Sequence, residues 1–480
     1  MDSPFSPATQ AAAEEFVNFL NKAVTPFHAV KELTDRLKSH GFVELKETDS
    51  WKLEANGKYY ITKNKSAVMA LAVGGKYEAS NGFSLMAAHT DSPALRVKPV
   101  SKITNEGYLQ VGVSTYGGGI WRTWFDRDLS LAGLVIHNKD GMLMRSLVNI
   151  SKPLLYIPNL AIHFCKDRSK FECNNEEELK PILATYIADQ LNEKNNSSVG
   201  LIKSVIFFVQ NIYLCTMCSS EKCEEHHHGL LEVISREVGC SVLDILDFDL
   251  YLYNSQPAAI GGLYNEFIGS QRLDNLVGAY TAITGLLESL NDGSLAEDSN
   301  MRVVACYDNE ECGSGSAQGA ESSVTEWFLR RLCKSFNGCF EEAIAKSFML
   351  SVDNAHAINP NYADKHERNH KPKFHGGVVM KVNVNQRYAT NSTTGAVIRR
   401  IAQLANEPLQ KVVVRNDMPC GTTVGPILSS KLGLQTCDVG SAQLAMHSIR
   451  ELICTSAIEH GIKLYSAYFR LLPKVLKSIV

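Results

Sequence analysis

Apolar residues near the start of the chain recur at the spacing of a helix. Phe16, Phe19, Leu20 and Val24 share one helical face, and Val30, Leu33 and Leu37 share another, so residues 9–40 read as two helices. Thr25 is placed to cap the second helix, Pro26 suits its first turn, and Gly41 lies past its end. From about residue 58 to 88 the pattern changes to short apolar runs, YYITK, AVMALAVG and FSLMAAH, which read as strands. Residues 100–160 are rich in β-branched residues and turn signals, as in STYGGGIW and LAGLVIHN, and read as a β-rich segment. The second half alternates. LVGAYTAITGLLESL and SVTEWFLRRLCKSF read as helices, MRVVACYDNE and KSFMLSVDNA as strands. Helices alternating with nearly continuous apolar strands predict an α/β domain around a largely buried sheet.

The chain has 480 residues, enough for a large core and more than one domain. Its formal net charge of −3 provides no basic field for nucleic acid. The 13 cysteines are odd in number and scattered, which fits free thiols in a reducing compartment better than a disulfide framework. The opening MDSPFSPATQAAAEEF lacks a basic leader followed by an apolar run, so the expected location is cytoplasmic. One stretch fits poorly. VGLIKSVIFFVQNIYLCTMC (199–218) is unusually apolar and follows NEKNNSS. Lys203, Gln210 and Asn211 weigh against a membrane span, and no membrane partner is expected. The stretch reads as a buried helix or strand pair, or as an insertion foreign to the fold.

Three groupings could carry chemistry. His366-Glu367-Arg368-Asn369-His370 matches the zinc-protease pattern H-E-x-x-H, which needs both His on one face of a helix. Pro360 and Pro372 flank it and there is almost no apolar stripe, so a polar loop is expected. Cys215 and Cys218, with Cys223 and His226 to His228 nearby, could hold structural zinc, but no second C-x-x-C accompanies them. The strongest grouping is dispersed. FSLMAA ends in His89-Thr90-Asp91, RVVACY in Asp308-Asn309-Glu310-Glu311, and SFMLSV in Asp353. Asp274 precedes a helical run, and His447 lies near the C-terminus. Ligands bind at the carboxyl ends of strands in open α/β sheets. His nitrogen and carboxylate oxygen are ordinary zinc ligands, and two dications against three carboxylates leave one positive charge for a hydroxide to neutralise. On an extended backbone Glu310 and Glu311 point apart, so one can bind metal while the other serves as base. Asp91 can orient the His89 imidazole.

With these residues in place, the chain resembles the aspartyl aminopeptidase family of M18 metallopeptidases, within the wider group of co-catalytic dizinc exopeptidases. The matching pieces are AAHTDSPALRVKP, YGGGIWRTWFDRDL, IPNLAIH, GSQRLDNL, DNEECGSGSAQGA, NYADKHERNHKP, GGVVMKVNVNQRYAT, NDMPCGTTVGPI and AMHSIRE. They span nearly the whole chain. The resemblance implies that Asp274 bridges two Zn2+ ions, that His89 and Asp353 complete one site, and that Glu311 and His447 complete the other. One site would accept another divalent metal such as Mn2+ or Co2+. Glu310 matches the general base acting on a bridging hydroxide, and Asp91 the carboxylate behind His89. Lys381, Tyr388 and His356 match substrate-binding residues, Met418 and Gly421 fall in a substrate-side loop, and His163 matches a residue that reaches a neighbouring subunit's site. His366, Glu367 and His370 belong to the family pattern but are not its zinc centre.

The implied architecture is a mixed-sheet catalytic domain (1–99 and 259–480) interrupted by a β-rich dimerisation domain (100–258) that contains the 199–218 stretch. The implied assembly is a tetrahedral homododecamer with its active sites facing an interior chamber. The implied activity is release of N-terminal Asp or Glu from peptides. A dimetal aminopeptidase or amidase of other specificity is one alternative, and an assembled scaffold without turnover is another. Two departures from the family pattern stand out: Cys312 after the paired glutamates, and the 199–218 stretch where relatives have a short connection.

Overall fold

The computed structural model describes residues 4–199 and 221–478. The apolar stretch, apart from Val199, and Cys215 and Cys218 lie outside these described residues. The chain divides into two compact units, Met1–Ser92 with Ala258–Val480, and Pro93–Pro257. The second begins at Pro93 rather than at residue 100, so the whole strand Ala94–Asn105 belongs to it.

The larger unit is built on a nine-stranded mixed sheet. Its strands run in the order Val43–Glu44, Lys58–Lys63, Ala67–Val73, Met301–Tyr307, Phe83–His89, Phe348–Val352, Gln435–Gly440, Val378–Val382 and Leu409–Val413. The four from Met301–Tyr307 to Gln435–Gly440 are mutually parallel. Side chains alternate across a strand with a period of two. Accordingly Val68, Ala70, Ala72, Met86, Ala88, Val304, Cys306 and Leu350 face one core, while Met69, Leu71, Val73, Leu85, Ala87, Val303, Ala305 and Met349 face the other. Both sets are buried, and for that reason these strands read as continuous apolar runs.

Helices Pro7–Lys22, Pro26–Ser39, Leu273–Glu288, Ser392–Ala405 and Ser456–Leu476 pack into the first core. Val324–Ser335, Phe340–Ala345 and Val424–Leu432 pack into the second. The predicted helix start is present: Pro26 opens the helix, and Thr25 Oγ1 accepts the His28 N–H at 3.4 Å. Gly41, with φ of 80°, follows the helix end as expected. A smaller sheet in the same unit orders Ala259–Gly261, Phe267–Ser270, Glu451–Cys454, Ala442–Leu444 and Ala355–His356. The turn between Ala442–Leu444 and Glu451–Cys454 carries His447.

The second unit holds a six-stranded antiparallel sheet, Met142–Asn149, Leu129–Lys139, Ile245–Asn254, Ala94–Asn105, Tyr108–Tyr116 and Ile182–Thr185. Two residues of the histidine run are engaged in its packing. His226 Nδ1 lies 2.8 Å from Ser101 Oγ, and His227 Nε2 lies 2.9 Å from the Ile103 carbonyl. Neither belongs to a metal-ligand grouping among the described residues. No helix among the described residues is long and apolar enough to cross a membrane.

Candidate metal centre

The carboxyl ends of the parallel strands converge on one cluster in the larger unit. His89 closes Phe83–His89, with Tyr307 of the neighbouring strand opposite it. Asp353 follows Phe348–Val352, held by its N–H to the Val439 carbonyl at 2.9 Å. Asp274 opens the helix Leu273–Glu288 with non-helical angles, and Ser92 Oγ donates to its carbonyl at 2.5 Å.

The five expected ligands meet. His89 Nε2 is 3.7 Å from Asp274 Oδ1 and 3.9 Å from Asp353 Oδ1. His447 Nε2 is 3.2 Å from Asp274 Oδ2 and 3.3 Å from Glu311 Oε2. Two groups of ligand atoms, His89–Asp274–Asp353 and Asp274–Glu311–His447, each close to within 4.8 Å and share Asp274. The two oxygens of Asp274 therefore face different groups.

The donor set fits divalent cations. Asp274 Oδ1 and Glu311 Oε1 are buried without a hydrogen-bond partner, an arrangement that a native fold otherwise avoids. Two like charges ~4 Å apart repel by about 4 kcal/mol at an effective dielectric constant of roughly 20. Burial pushes the Glu310 carboxyl up to about 7, that of Asp353 up to about 6, and that of Glu311 well above the usual range. Burial alone would lower the His89 imidazole, but the Glu310, Asp91 and Asp353 carboxylates raise it well above its ordinary value. A nearby dication would stabilise these carboxylates in their charged form and displace the proton from His89.

The expected opposition of Glu310 and Glu311 is corrected. They lie on one 3₁₀ turn, Glu310–Cys312, and not on an extended segment. Asn309 enters this turn at φ of 65°, and the Asp91 carboxylate accepts the Glu310 and Glu311 N–H groups at 3.1 and 3.0 Å. Both side chains consequently reach toward His89, and the ligand atoms of all three lie within 4.8 Å of one another. Asp91 also presents its backbone carbonyl to His89 Nδ1 at 3.0 Å, with Oδ1 at 3.4 Å. It orients the imidazole mainly through the main chain.

Lys381 is buried, and its Nζ donates to the Asp353 and Asn354 carbonyls at 3.1 and 3.0 Å. It stands 3.6 Å from Asp353 Oδ2 and 4.8 Å from the centre of the Tyr388 ring. Tyr388, His356, Met418 and Gly421 line one cavity of about 290 Å3, together with His366. His163 is exposed and belongs to the second unit. The HERNH segment follows the short 3₁₀ helix Pro360–Lys365 and is a loop, as the flanking prolines predicted. His370 pairs locally with Glu367, and neither histidine of the motif joins a metal-ligand grouping among the described residues.

Two buried carboxylates beside the site, Asp438 and Glu451, escaped the sequence reading. Asp438 accepts the Ala389 N–H at 2.6 Å and the Thr423 hydroxyl at 2.6 Å, tying the Tyr388 and Met418–Gly421 loops to the sheet. Glu451 accepts the His447 N–H at 2.7 Å and the Asp274 N–H at 3.2 Å. In the sequence, Glu451 closes the matching piece AMHSIRE, but nothing in that piece assigned it a role.

A mixed α/β scaffold with a carboxylate shared between two ligand groups at its parallel strand ends defines a metal-dependent hydrolase class. The model of the aminopeptidase I zinc metalloprotease family, M18, matches residues 19–469, and the chain belongs to this family of hydrolases. An aspartyl aminopeptidase of Caenorhabditis elegans is 54% identical over 478 residues, covering 99% of this chain and 98% of its own. Aspartyl aminopeptidase 4 of Saccharomyces cerevisiae is 43% identical over 488 residues, covering 97% and 96%. Among solved structures, a chain of an Ape4 and Nbr1 complex superposes with a TM-score of 0.91 at 40% identity, covering 100% of this chain and 90% of that one. A yeast mApe1 dodecamer gives 0.81 at 28% identity, covering 97% and 98%.

Proposed function

We propose that the protein removes N-terminal Asp or Glu from peptides, using two zinc ions held by His89, Asp274, Asp353, Glu311 and His447. The reading rests above all on Asp274, whose two oxygens face two ligand groups and one of which is a buried, unpartnered acceptor. Such an acceptor is what a shared ion pair would use, with Mn2+ or Co2+ able to replace zinc at one position. When bound, the ions polarise the scissile carbonyl and lower the pKa of a water molecule.

The chain's own residues do the rest. Glu310, its carboxyl raised by burial and its Oε2 3.9 Å from His89 Nε2, takes a proton from the attacking water and delivers it to the leaving amine. Asp91 holds the Glu310 backbone in place for that transfer. Lys381 supplies a fixed buried cation beside the cavity lined by His356, Tyr388, Met418 and Gly421, which suits an acidic side chain. The names of the relatives support the same specificity. His163 serves the site of a neighbouring copy, Pro93–Pro257 forms the dimerisation domain, and the assembly is a tetrahedral dodecamer that admits peptides. Free buried thiols at Cys306, Cys333, Cys437 and Cys454 support a cytoplasmic location.

A panel of aminoacyl anilides tests the specificity. The Asp and Glu compounds should far exceed Leu and Ala in kcat/KM. Lys381→Ala should lower the Asp-to-Leu ratio by about 10- to 100-fold, the worth of one hydrogen bond to a charged group. Equal losses on Asp and Leu would contradict the role of Lys381, and a preference for Leu in the unaltered protein would assign the neutral specificity instead.

A further inference from the structure

Glu451 is a buried carboxylate that belongs to neither ligand group. It opens the strand Glu451–Cys454, which pairs with Ala442–Leu444 across the turn carrying His447. Its Oε1 accepts the His447 N–H at 2.7 Å and a Gln443 Nε2–H at 3.2 Å. Its Oε2 accepts the Asp274 N–H at 3.2 Å. Both oxygens thus end on donors, and two of those donors are the backbones of ligands to one ion.

One of those backbones is in a strained conformation. His447 stands at φ of 68°, in the left-handed region, and Asp274 departs from the helix it begins. A residue with a Cβ in the left-handed region stays there only when its surroundings fix it. The N–H bonds to Glu451 are such a fixing contact. Gln443, which donates to Glu451, in turn accepts from Asn354 Nδ2 at 2.6 Å, and Asn354 Nδ2 also reaches the Leu273 carbonyl at 2.8 Å. The grip therefore runs from the His447 turn to the residue before Asp274. Asp91 does the same for Glu310 and Glu311. Two buried carboxylates, Glu451 and Asp91, therefore hold the main chain of all three members of the Asp274–Glu311–His447 group.

We infer that Glu451 is a positioning residue of the metal centre, fixing the backbones of Asp274 and His447 so that the Asp274–Glu311–His447 group has the spacing an ion requires. This inference rests on the two-cation reading above. Glu451→Gln retains the volume but replaces one acceptor oxygen with an amide NH2, which leaves the Asp274 N–H or the His447 N–H unsatisfied and loosens that backbone.

The test is a Zn2+ titration of the full chain after chelation, comparing the unaltered protein, Glu451→Gln and Glu451→Asp. His447→Ala marks which binding step belongs to the His447 group. We expect two steps in the unaltered protein. In Glu451→Gln the His447-linked step should weaken by about 10- to 100-fold, as for other residues that orient metal ligands, and the second step should change less. A loss confined to the His447-linked step is a result that a general packing defect would not give. Glu451→Asp keeps the carboxyl group one methylene short and should weaken the same step, so it carries the test if the Gln variant does not fold. Unchanged affinity in the variants, or equal loss at both steps, overturns the positioning role. No zinc binding by the unaltered protein overturns the two-cation reading itself.

Discussion

Glu310 and Glu311 are neighbours in the chain with different partners. Glu311 Oε2 lies 3.3 Å from His447 Nε2, while Glu310 Oε2 lies 3.9 Å from His89 Nε2. If Glu310 moves protons and does not hold metal, Glu310→Gln should keep both zinc equivalents and lose about 10²- to 10⁴-fold in kcat, the range of general acid–base contributions. Metal analysis and steady-state kinetics on one preparation check this, and near-normal turnover would remove the assignment. The residue types at the strand ends were legible in the sequence, because His89, Asp353 and the Asp308–Glu311 run each follow an apolar strand. The turn that aims both glutamates at one centre was not. It depends on the left-handed Asn309 and on Asp91, which is adjacent in space and distant in sequence. Glu451 was hidden for the same reason: its value comes from an N–H of Asp274 that no local pattern connects to it.

At the scale of elements, the strands that carry the ligands are held at close quarters. A Cβ at Gly440 would overlap the Asp353 carbonyl, so Gln435–Gly440 can lie against Phe348–Val352 only with glycine there. Gly440→Ala should force these strands apart and shift Asp353. The expected cost is about 1–3 kcal/mol in stability, with weaker zinc retention. Thermal unfolding and zinc analysis after dialysis measure both, and unchanged zinc retention would separate Asp353 from strand spacing. The long elements were readable because their periodicity runs for many residues, as in FSLMAAH and LVGAYTAITGLLESL. The five-stranded sheet was not. Ala355–His356 and Ala442–Leu444 are too short to show a period, and they form because partners from distant segments supply the hydrogen bonds. HERNH shows the reverse case, where letters matched a helical metal motif and the flanking prolines correctly argued for a loop.

For the whole molecule, the cluster links stability to pH. The carboxyls of Glu310 and Asp353 titrate near 7 and 6 in the folded metal-free chain, above their ordinary values of 4.5 and 3.8. The folded state therefore binds these protons more tightly than the unfolded state, and their contribution is present at low pH and lost as pH rises through about 6 to 7. His89, raised as well, acts in the same direction. Bound cations replace those protons, so the unfolding temperature with zinc minus that with chelator should widen from pH 5.5 to 8. A constant or narrowing gap would mean that the buried carboxylates are not what the metal compensates. The most direct test of the central claim is the number of zinc ions per chain, counted by elemental analysis for the unaltered protein and for Asp274→Ala. Two ions in the first and a loss at both positions in the second are predicted, because one carboxylate serves both. A single ion or none in the unaltered protein, or two retained without Asp274, would contradict it.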